Sequence, residues 1–470
     1  MTVSLAVGFD LATAATHVVL FIYFIYVSGT IIYRLFFSPL AKFPGPKFAA
    51  ATGWYEFYFD WWLQGKYIFE IEKMHRKYGP VVRVNPEELS IHDANFYNEI
   101  YVTESRRRTH NYDVFCKGID FDGSHFLSTD HSLHRKRRKP LEPFFSRMGI
   151  TRLQPLLAEV SLHLEQRLRA LKGQHTVIRL DHAFLAFSGD IISRICLDGA
   201  ESDFSSFLDD QNFAPDWYDV IHAIVRSIPL FTGFPWIVRI VTAVPESFLL
   251  WAFPQGQMFN VFHDKAKQHI RRAIEDSHDK EGFSLFHQIL RNDEMPVEER
   301  SEERLAKEAQ TLLGAGSAST ARTIGFASYY ILSRSDVRER LQVELHEVMA
   351  DWPQRVPTWA ELEKVPYLQA VIKESLRLSY GVMHRLPRVS PDIAIQYKDY
   401  TIPPGVCLVR SILSSDIETN PSPGSSRDVG LLDALRCERI RFPVCIQSGA
   451  LAKQSRTGYA QKLRSILQRI

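Results

Sequence analysis

A run of very small side chains, GAGSAST at residues 314–320, is the first part of this sequence whose residue types suggest chemistry. A glycine inside a helix costs roughly 1 kcal/mol relative to alanine unless something needs the space. A flat ligand lying on the helix is one explanation. The hydroxyl groups of the run would then bond the ligand or a carbonyl one turn back. Close packing against another helix is the alternative.

Glu374 and Arg377 are the next candidates, because residues three apart share a helix face and can form an ion pair. They lie in PYLQAVIKESLRLS, where apolar residues recur at helical spacing. A surface pair of this kind is usually solvated and contributes little. The residues after this helix give the pair more weight, because Leu386-Pro387-Arg388 leads into a predicted strand and an IPPG turn.

A third candidate is the basic run His134–Lys139, six consecutive basic or potentially basic residues within LSTDHSLHRKRRKPLEPFFS. The planar fork of an arginine can bind a carboxylate through two hydrogen bonds. The alternative is a solvated basic face. Either way, the run is local and does not reflect the overall charge of the chain.

The whole chain has 470 residues, with 56 Lys and Arg against 54 Asp and Glu, for a formal charge of +2. This length allows a large buried core. Because the charge is nearly balanced, we expect no nucleic-acid partner. The five cysteines show no CxxC spacing, which argues against a zinc site and a disulfide framework and indicates a reducing compartment.

The elements that must position these candidates are mainly helical. Residues 302–333 form a proline-free run of nearly nine helical turns and predict a long central helix. HRKYGPVVRVNPEELSIHDANFYNEIY predicts a helix end, two short strands and a helix, and DIAIQYKDYTIPPGVCLV predicts an antiparallel strand pair. Residues 150–300 follow a helical pattern. We therefore expect a mainly α fold with a small β region.

No charged residue lies between Asp10 and Arg34, and this apolar run is long enough to cross a bilayer of roughly 30 Å. We predict one uncleaved transmembrane helix; a secretory signal peptide is the alternative. The basic residues come after the span, which places the bulk of the chain in the cytosol. PLAKFPGPK, directly after the span, predicts a stiff hinge and no helix.

These motifs, in this order, resemble those of the cytochrome P-450 monooxygenases. GAGSAST resembles the AGxxT motif of that family's central helix, and the Glu374 helix resembles its ExxR helix. The resemblance implies that Ser319 aids proton delivery during oxygen activation, while Gly316 and Ala315 leave room for oxygen. Ala318 stands where the family usually has an acid. Glu374 and Arg377 would form a triad with an arginine from a later loop.

The basic run resembles the WxxxR helix of the family, whose Trp and Arg contact the haem propionates. His131 aligns with the Trp and Arg135 with the Arg, so the histidine is a departure from the pattern. Arg388 is implied as a further propionate contact. The remaining cations of the run would face an acidic redox partner.

The resemblance also implies a cofactor, partners and a location. The cofactor would be haem b, with NADPH electrons delivered through a reductase to oxidise an apolar small molecule. HRLPRV and YKDYTIPPG look most like fungal microsomal enzymes of terpenoid and polyketide pathways, such as the trichodiene oxygenases, anchored in lipid at the endoplasmic reticulum. We predict four segments: an anchor at 1–38, a proline-rich hinge at 39–48, an incomplete cytochrome P-450-like domain at 49–423 and an aberrant tail at 424–470.

The tail departs from the family pattern, because neither an FxPxRF or FxPxRW loop nor an FxxGxRxCxG loop occurs as such. The cysteine of the second loop supplies the thiolate that favours O–O cleavage. Cys445 is the candidate iron ligand; its alternative is an ordinary small hydrophobe. A frameshift, retained intron or decayed gene would explain the tail. The rival hypotheses are therefore an inactive relic and a haem-free binding protein at the membrane.

Overall fold

In a computed structural model of the chain, helices predominate over a small amount of β structure, as the sequence predicts. The described residues are 2–102, 107–112, 123–174, 177–197, 206–234, 237, 240, 243–252, 256–276, 285–292, 295–379 and 385–410. Contacts divide the chain into two compact units. Unit 1 comprises residues 1–112 and 384–438, and unit 2 comprises residues 113–383 and 439–470.

Unit 1 begins with a long apolar helix, α1 (Thr2–Ile32), which continues as a π-helical turn through Phe37. Within it, residues Ala15–Phe37 are long and apolar enough to cross a membrane, in agreement with the predicted span. The proline-rich segment after the span is not helical before Lys47. Four short helices of unit 1 come next: α2 (Lys47–Ala51), α3 (Trp54–Phe57), α4 (Tyr67–Tyr78) and α5 (Tyr97–Ile100).

Unit 1 also contains all the described strands. They are β1 (Val81–Asn85), β2 (Glu88–Ile91), β3 (His110–Asn111), β4 (Arg388–Val389), β5 (Ile395–Tyr397), β6 (Tyr400–Ile402) and β7 (Cys407–Arg410). One sheet has the order β1-β2-β7-β4-β3, in which β2 and β7 are parallel, and β5 pairs antiparallel with β6. The predicted strands around residues 81–91 and the predicted strand pair near residue 400 are both confirmed.

Arg83 joins the end of the apolar helix to the sheet of unit 1. Its buried guanidinium donates to the carbonyl of Arg34 at 2.8 Å, and its backbone N–H donates to the carbonyl of Pro44 at 2.7 Å. Arg34 in turn donates to the carbonyl of Ala51 at 3.2 Å. A Cβ at Gly45 would collide with the backbone of Arg83, so glycine is required for this close approach.

A charge cluster around the buried Arg385 joins distant parts of unit 1. Arg385 is 6 % exposed and binds the carboxylates of Glu56 and Glu88, the latter at 2.9 Å. Its guanidinium also lies 5.0 Å from the ring centroid of Tyr67. Asp60 accepts the backbone N–H of Tyr67 at 3.2 Å. One cation thus faces three carboxylates, which places excess negative charge in a low-dielectric region.

This excess charge predicts a pH dependence that Asp60→Asn should remove. Burial, followed by the nearby charge of Glu56, raises the pKa of Asp60 to about 7. The folded chain therefore holds a proton that the unfolded chain releases near pH 4, so Asp60 makes folding less favourable as pH rises from about 4 to 7. At pH 8 we expect the asparagine variant to be more stable by on the order of 2 kcal/mol.

Urea unfolding at pH 5 and pH 8 measures this effect. The asparagine side chain would keep an acceptor for the N–H of Tyr67 and lose only the charge. If Asp60→Asn changed the free energy of unfolding equally at pH 5 and pH 8, the pH dependence would not come from Asp60. Asp399→Asn, a change at the β5–β6 turn outside the Arg385 cluster, is the control and should leave the pH profile unchanged.

Unit 2 is helical throughout its described part. Its helices are α6 (His131–Arg138), α7 (Arg147–Ala170), α8 (Leu180–Leu197), α9 (Pro215–Gly233), α10 (Glu246–Ala252), α11 (Gly256–Asp276), α12 (Leu285–Leu290), α13 (Glu302–Ser333), α14 (Ser335–Leu345), α15 (Trp359–Glu363) and α16 (Pro366–Ser379). The bounds of α13 match the proline-free run at 302–333. This helix packs most extensively against α8, and its N-terminal half is largely buried.

Candidate functional site

The small-residue run lies in the middle of α13, where the helix changes from buried to open. Ala315, Ser319 and Thr320 are exposed, whereas Leu313 and Ser317 are buried. Ala315 and Ser319 are four residues apart and therefore share a face of the helix. The small side chains on this face leave room for a flat group to approach the backbone.

Hydroxyl groups form a ladder along the open face. Ser319 Oγ donates to the carbonyl of Ala315 at 2.8 Å, and Thr323 Oγ1 donates to the carbonyl of Ser319 at 3.0 Å. Thr323 also lies 3.3 Å from Ser379 Oγ at the end of α16. Such back-bonded hydroxyls hold a transferable proton next to a helix carbonyl. Sequence reasoning missed Thr323 and Ser379; the four-residue spacing from Ser319 to Thr323 was the available signal.

Gly316 lies against α8. A Cβ at this position would come within 2.8 Å of Ile192 Cγ1, so the helices could not keep their present spacing with a larger residue. Close helix packing, the alternative to a flat ligand, therefore gives a structural reason for glycine here. The predicted role of Gly316 in leaving room for oxygen stays a prediction. Of the two residues given that role, Ala315 is the exposed one.

Replacing Gly316 with alanine should destabilise unit 2. The added methyl must displace Ile192, and overpacking of this kind costs typically 1–3 kcal/mol. Gly325→Ala in the same helix is the matched control, because a Cβ there would meet nothing within 4 Å. The control should gain roughly 0.5–1 kcal/mol through helix propensity. Urea unfolding measures both, and equal stability of the two variants would contradict the packing role.

His131 and Arg135 lie on α6, whose start is capped by Asp130 accepting from the backbone N–H of Leu133 at 2.8 Å. His131 is half-buried and Arg135 is exposed. Arg137 points the other way: its side chain is 11 % exposed and binds Glu299. The expectation that the remaining cations of the run face a redox partner is therefore wrong for Arg137, because a residue two positions from Arg135 lies on the opposite side of a helix.

Glu374 and Arg377 form the predicted ion pair on α16. Nε and Nη2 of Arg377 both reach Oε2 of Glu374, at 2.8 and 2.6 Å. The side chain of Glu374 is 14 % exposed and that of Arg377 is 32 % exposed, so the pair is partly shielded from water. Its membership of a triad with a later arginine stays a prediction.

Arg388 belongs to unit 1. It begins β4, which pairs antiparallel with β7, and its Nη1 donates to Asn111 Oδ1 at 2.8 Å. The guanidinium also lies 6.0 Å from the ring centroid of Tyr101. Both contacts of the Arg388 side chain are thus with residues of unit 1. The role of Arg388 as a propionate contact stays a prediction.

Cys445, the candidate iron ligand, lies outside the described residues. The two cysteines that the structure describes, Cys196 and Cys407, are buried and free. Burial raises the pKa of both thiols, and the nearby carboxylates Glu308 and Glu88, respectively, raise it further. Neither therefore provides the low-pKa, accessible thiolate that binds a metal.

Comparisons with known proteins identify relatives over most of the chain. A family model described as "Cytochrome P450" matches residues 51–416. "Cytochrome P450 monooxygenase oblB" from Emericella variicolor is 48 % identical over 84 % of this chain and 74 % of its own length. "Cytochrome P450 monooxygenase tndB" from Aspergillus flavipes is 47 % identical over 85 % and 86 %. "Fusicoccadiene C-8 hydroxylase" from Phomopsis amygdali is 47 % identical over 79 % and 72 %.

Proposed function

The chain belongs to the cytochrome P450 family, and on that premise we propose that it is a haem-thiolate monooxygenase of fungal secondary metabolism that oxidises an apolar terpenoid. The observation that carries the proposal is the open face of α13, where Ala315 and Ser319 are exposed one turn apart, just beyond the largely buried N-terminal part of the helix. A ligand on this face could therefore contact the small Ala315 side chain and the Ser319 hydroxyl at the same time.

The cofactor of the family is haem b, and the residues of unit 2 fit part of it. A flat macrocycle needs a surface without large side chains, which the Ala315 face supplies. A propionate needs an accessible cation, which Arg135 supplies from α6, with His131 beside it on the same helix. Arg388 is proposed, from its sequence context alone, as a further propionate contact. Neither described cysteine fits the iron-ligand role, and Cys445, outside the described residues, is proposed as the ligand from its sequence context alone.

Haem, when bound through a thiolate, supplies the oxidising power for insertion of one oxygen atom into the substrate. The residues of this chain have three tasks. Ser319 holds a proton on a hydroxyl already oriented by the Ala315 carbonyl, 2.8 Å away. Arg135 would hold a propionate of the cofactor through its exposed guanidinium. Glu374 and Arg377 brace the end of α16, which Ser379 joins to α13 through Thr323.

The substrate proposal rests on the relatives. The name of the Phomopsis amygdali enzyme identifies it as a hydroxylase of fusicoccadiene, a diene, and the Emericella variicolor relative "Stellatic acid synthase" is 38 % identical to this chain. We propose a related apolar terpenoid skeleton for this chain, with a polyketide as the broader alternative. Residues 150–300 would set the specificity.

The proposed location is the membrane of the endoplasmic reticulum, with one span and the bulk of the chain in the cytosol. The apolar helix ending at Phe37 supports this location, and so do Phe48, Trp54, Tyr58 and Trp62, which are exposed just beyond it. Aromatic side chains favour the bilayer interface. The electron donor would be an NADPH-dependent reductase, met by the exposed cations Lys136 and Lys139.

A haem-free chain is the second candidate function, and one observation favours it. The family match ends at residue 416, and the sequence beyond lacks the FxxGxRxCxG loop. A chain without the ligand loop would be either an inactive relic or a membrane-bound binding protein.

The reduced carbon monoxide difference spectrum of the 470-residue chain, expressed in microsomes with haem available, tests the proposal. A thiolate-type Soret band that disappears in Cys445→Ala would support a haem-thiolate enzyme with Cys445 as ligand. Absence of the band from a chain that is monodisperse would favour the haem-free binding protein. Aggregation without haem would favour the relic.

Ser319→Ala should uncouple electron consumption from product formation in a chain that carries a complete haem loop. The variant loses the hydroxyl that the Ala315 carbonyl orients, and positioned proton donors contribute strongly to rate. We expect about a tenfold lower ratio of product to NADPH consumed. Ser317→Ala is the matched control, since Ser317 is buried and donates to the Leu313 carbonyl at 2.7 Å, away from the open face. Unchanged coupling in the Ser319 variant would contradict its role.

A further inference from the structure

Four charged side chains form a network in unit 2, in which Arg304 and Glu308 are buried and Arg137 and Glu299 are half-buried. Glu299 binds Arg137 through two hydrogen bonds: Arg137 Nε to Oε2 at 2.7 Å and Nη2 to Oε1 at 3.0 Å. Arg304 lies 3.4 Å from the same Oε2 and donates to Glu308 at 2.7 Å. Glu308 is fully buried, and Arg304 is 6 % exposed. Two arginines thus balance two glutamates, so the network carries no net charge when all four are ionised.

The network extends into the segment before α6. His125 contacts Glu308 twice: its ring Nδ1 bonds Oε1, and its backbone N–H donates to Oε2 at 3.1 Å. Arg137 Nη1 donates to Ser128 Oγ at 2.9 Å. A Cβ at Gly123 would come within 3.0 Å of Lys307 Cδ, so this segment lies close against α13.

The charges of the network depend on each other. Burial would by itself raise the pKa of Glu299, but its hydrogen bonds with Arg137 and the charges of Arg137 and Arg304 hold that pKa below its usual range. Removing one member would leave unequal numbers of positive and negative groups in a partly to fully buried network, which costs more than removing one member of an exposed pair. The network thus connects α6, through Glu299 just before α13, to the first turns of α13.

We infer that Arg137 is a positioning residue that, through Glu299, fixes α6 on the start of α13 and thereby sets where Arg135 presents its charge. Arg135 and Arg137 lie on opposite sides of the eight-residue α6, so anchoring one side orients the other. The inference rests on the proposed function for what Arg135 binds. The anchoring of α6 by Arg137 and Glu299 is independent of that function.

Hydrogen–deuterium exchange of the full chain tests how α6 is held. In Arg137→Met, peptides covering 123–138 should exchange about 100-fold faster, while peptides of α14 should be unchanged. Lys136→Met is the matched control, since it removes one exposed cation from the neighbouring position of the same helix. If Arg137→Met does not fold, Glu299→Gln, which keeps an acceptor and loses the charge, should give a smaller increase in the same peptides. Unchanged exchange in 123–138, or equal effects of Arg137→Met and Lys136→Met, would overturn the inference.

Binding of haem and of its dimethyl ester tests the link to Arg135, because the ester lacks the propionate charges. Arg135→Leu should lower the preference for haem over the ester by about tenfold. Arg137→Met should lower the same preference, an effect that general destabilisation would not produce. An unchanged preference in Arg137→Met would overturn the positioning role. If the parent chain binds neither compound, the proposed function fails for this chain, and the exchange experiment alone decides the inference.

Discussion

Arg385→Met is expected to destabilise unit 1 by roughly 3–5 kcal/mol, because it leaves buried carboxylates without their cation. Arg385 binds Glu56 and Glu88, and Glu88 is as buried as the arginine itself. Methionine fills a similar volume, so the loss would reflect charge more than packing. The loss of the cation would also remove the contact with the Tyr67 ring.

Urea unfolding combined with hydrogen exchange of the β1 and β2 peptides measures this loss. Arg76→Met is the control, because Arg76 is 74 % exposed and pairs with Glu72 on its own helix. That change should cost less than about 0.5 kcal/mol. A triple variant in which Glu56→Gln and Glu88→Gln accompany Arg385→Met should recover much of the stability. Failure to recover would show that the loss does not come from unpaired carboxylates.

We expect haem-thiolate ligation in a chimaera whose segment after residue 416 comes from the Aspergillus flavipes relative. The parent tail lacks the family's cysteine loop, and the graft would supply it. The family match stops at residue 416, while the relative aligns over 86 % of its own length. The cysteine of the grafted loop would supply the thiolate, and its electron donation shifts the Soret band of the carbon monoxide complex.

The difference spectrum of the chimaera is compared with that of the parent chain, and the grafted loop should give the band whether or not Cys445 ligates iron in the parent. A chimaera whose grafted loop cysteine is replaced by alanine is the matched control and should lack the band. A folded chimaera without the band would mean that residues 1–416 do not hold haem, and the haem-free alternative would then be favoured.

The sequence alone predicted which elements form, because periodicity and proline content are local properties. The bounds of α13 and the strand pair near residue 400 are examples. It did not predict which charges are buried together. Arg137 stands in a basic run that reads as uniformly solvated, and its partner Glu299 lies 162 positions away. Such pairings depend on how helices pack, which spacing along one chain does not encode.

The small-residue run shows the same limit at the candidate site. Its composition correctly indicated that glycine is needed for close packing, whereas the second need, room for a ligand, stays a prediction. Gly316 admits Ile192 of α8, whereas Ala315 and Ser319 form the open face. Helical geometry separates adjacent residues by about 100°, so the two needs could be told apart only once the neighbour of each face was known.

In a membrane-anchored chain, Arg83 would limit how the sheet of unit 1 moves relative to the apolar helix. A domain on a flexible linker would rotate independently of its membrane-spanning helix. It would then have no fixed orientation relative to the lipid surface. Here the guanidinium of Arg83 holds the Arg34 carbonyl at 2.8 Å, and the Pro44 carbonyl is held by the same residue's backbone. In the anchored chain that we propose, α1 and the sheet of unit 1 would rotate together in the membrane. The tilt of α1 in the bilayer would then set the tilt of the sheet.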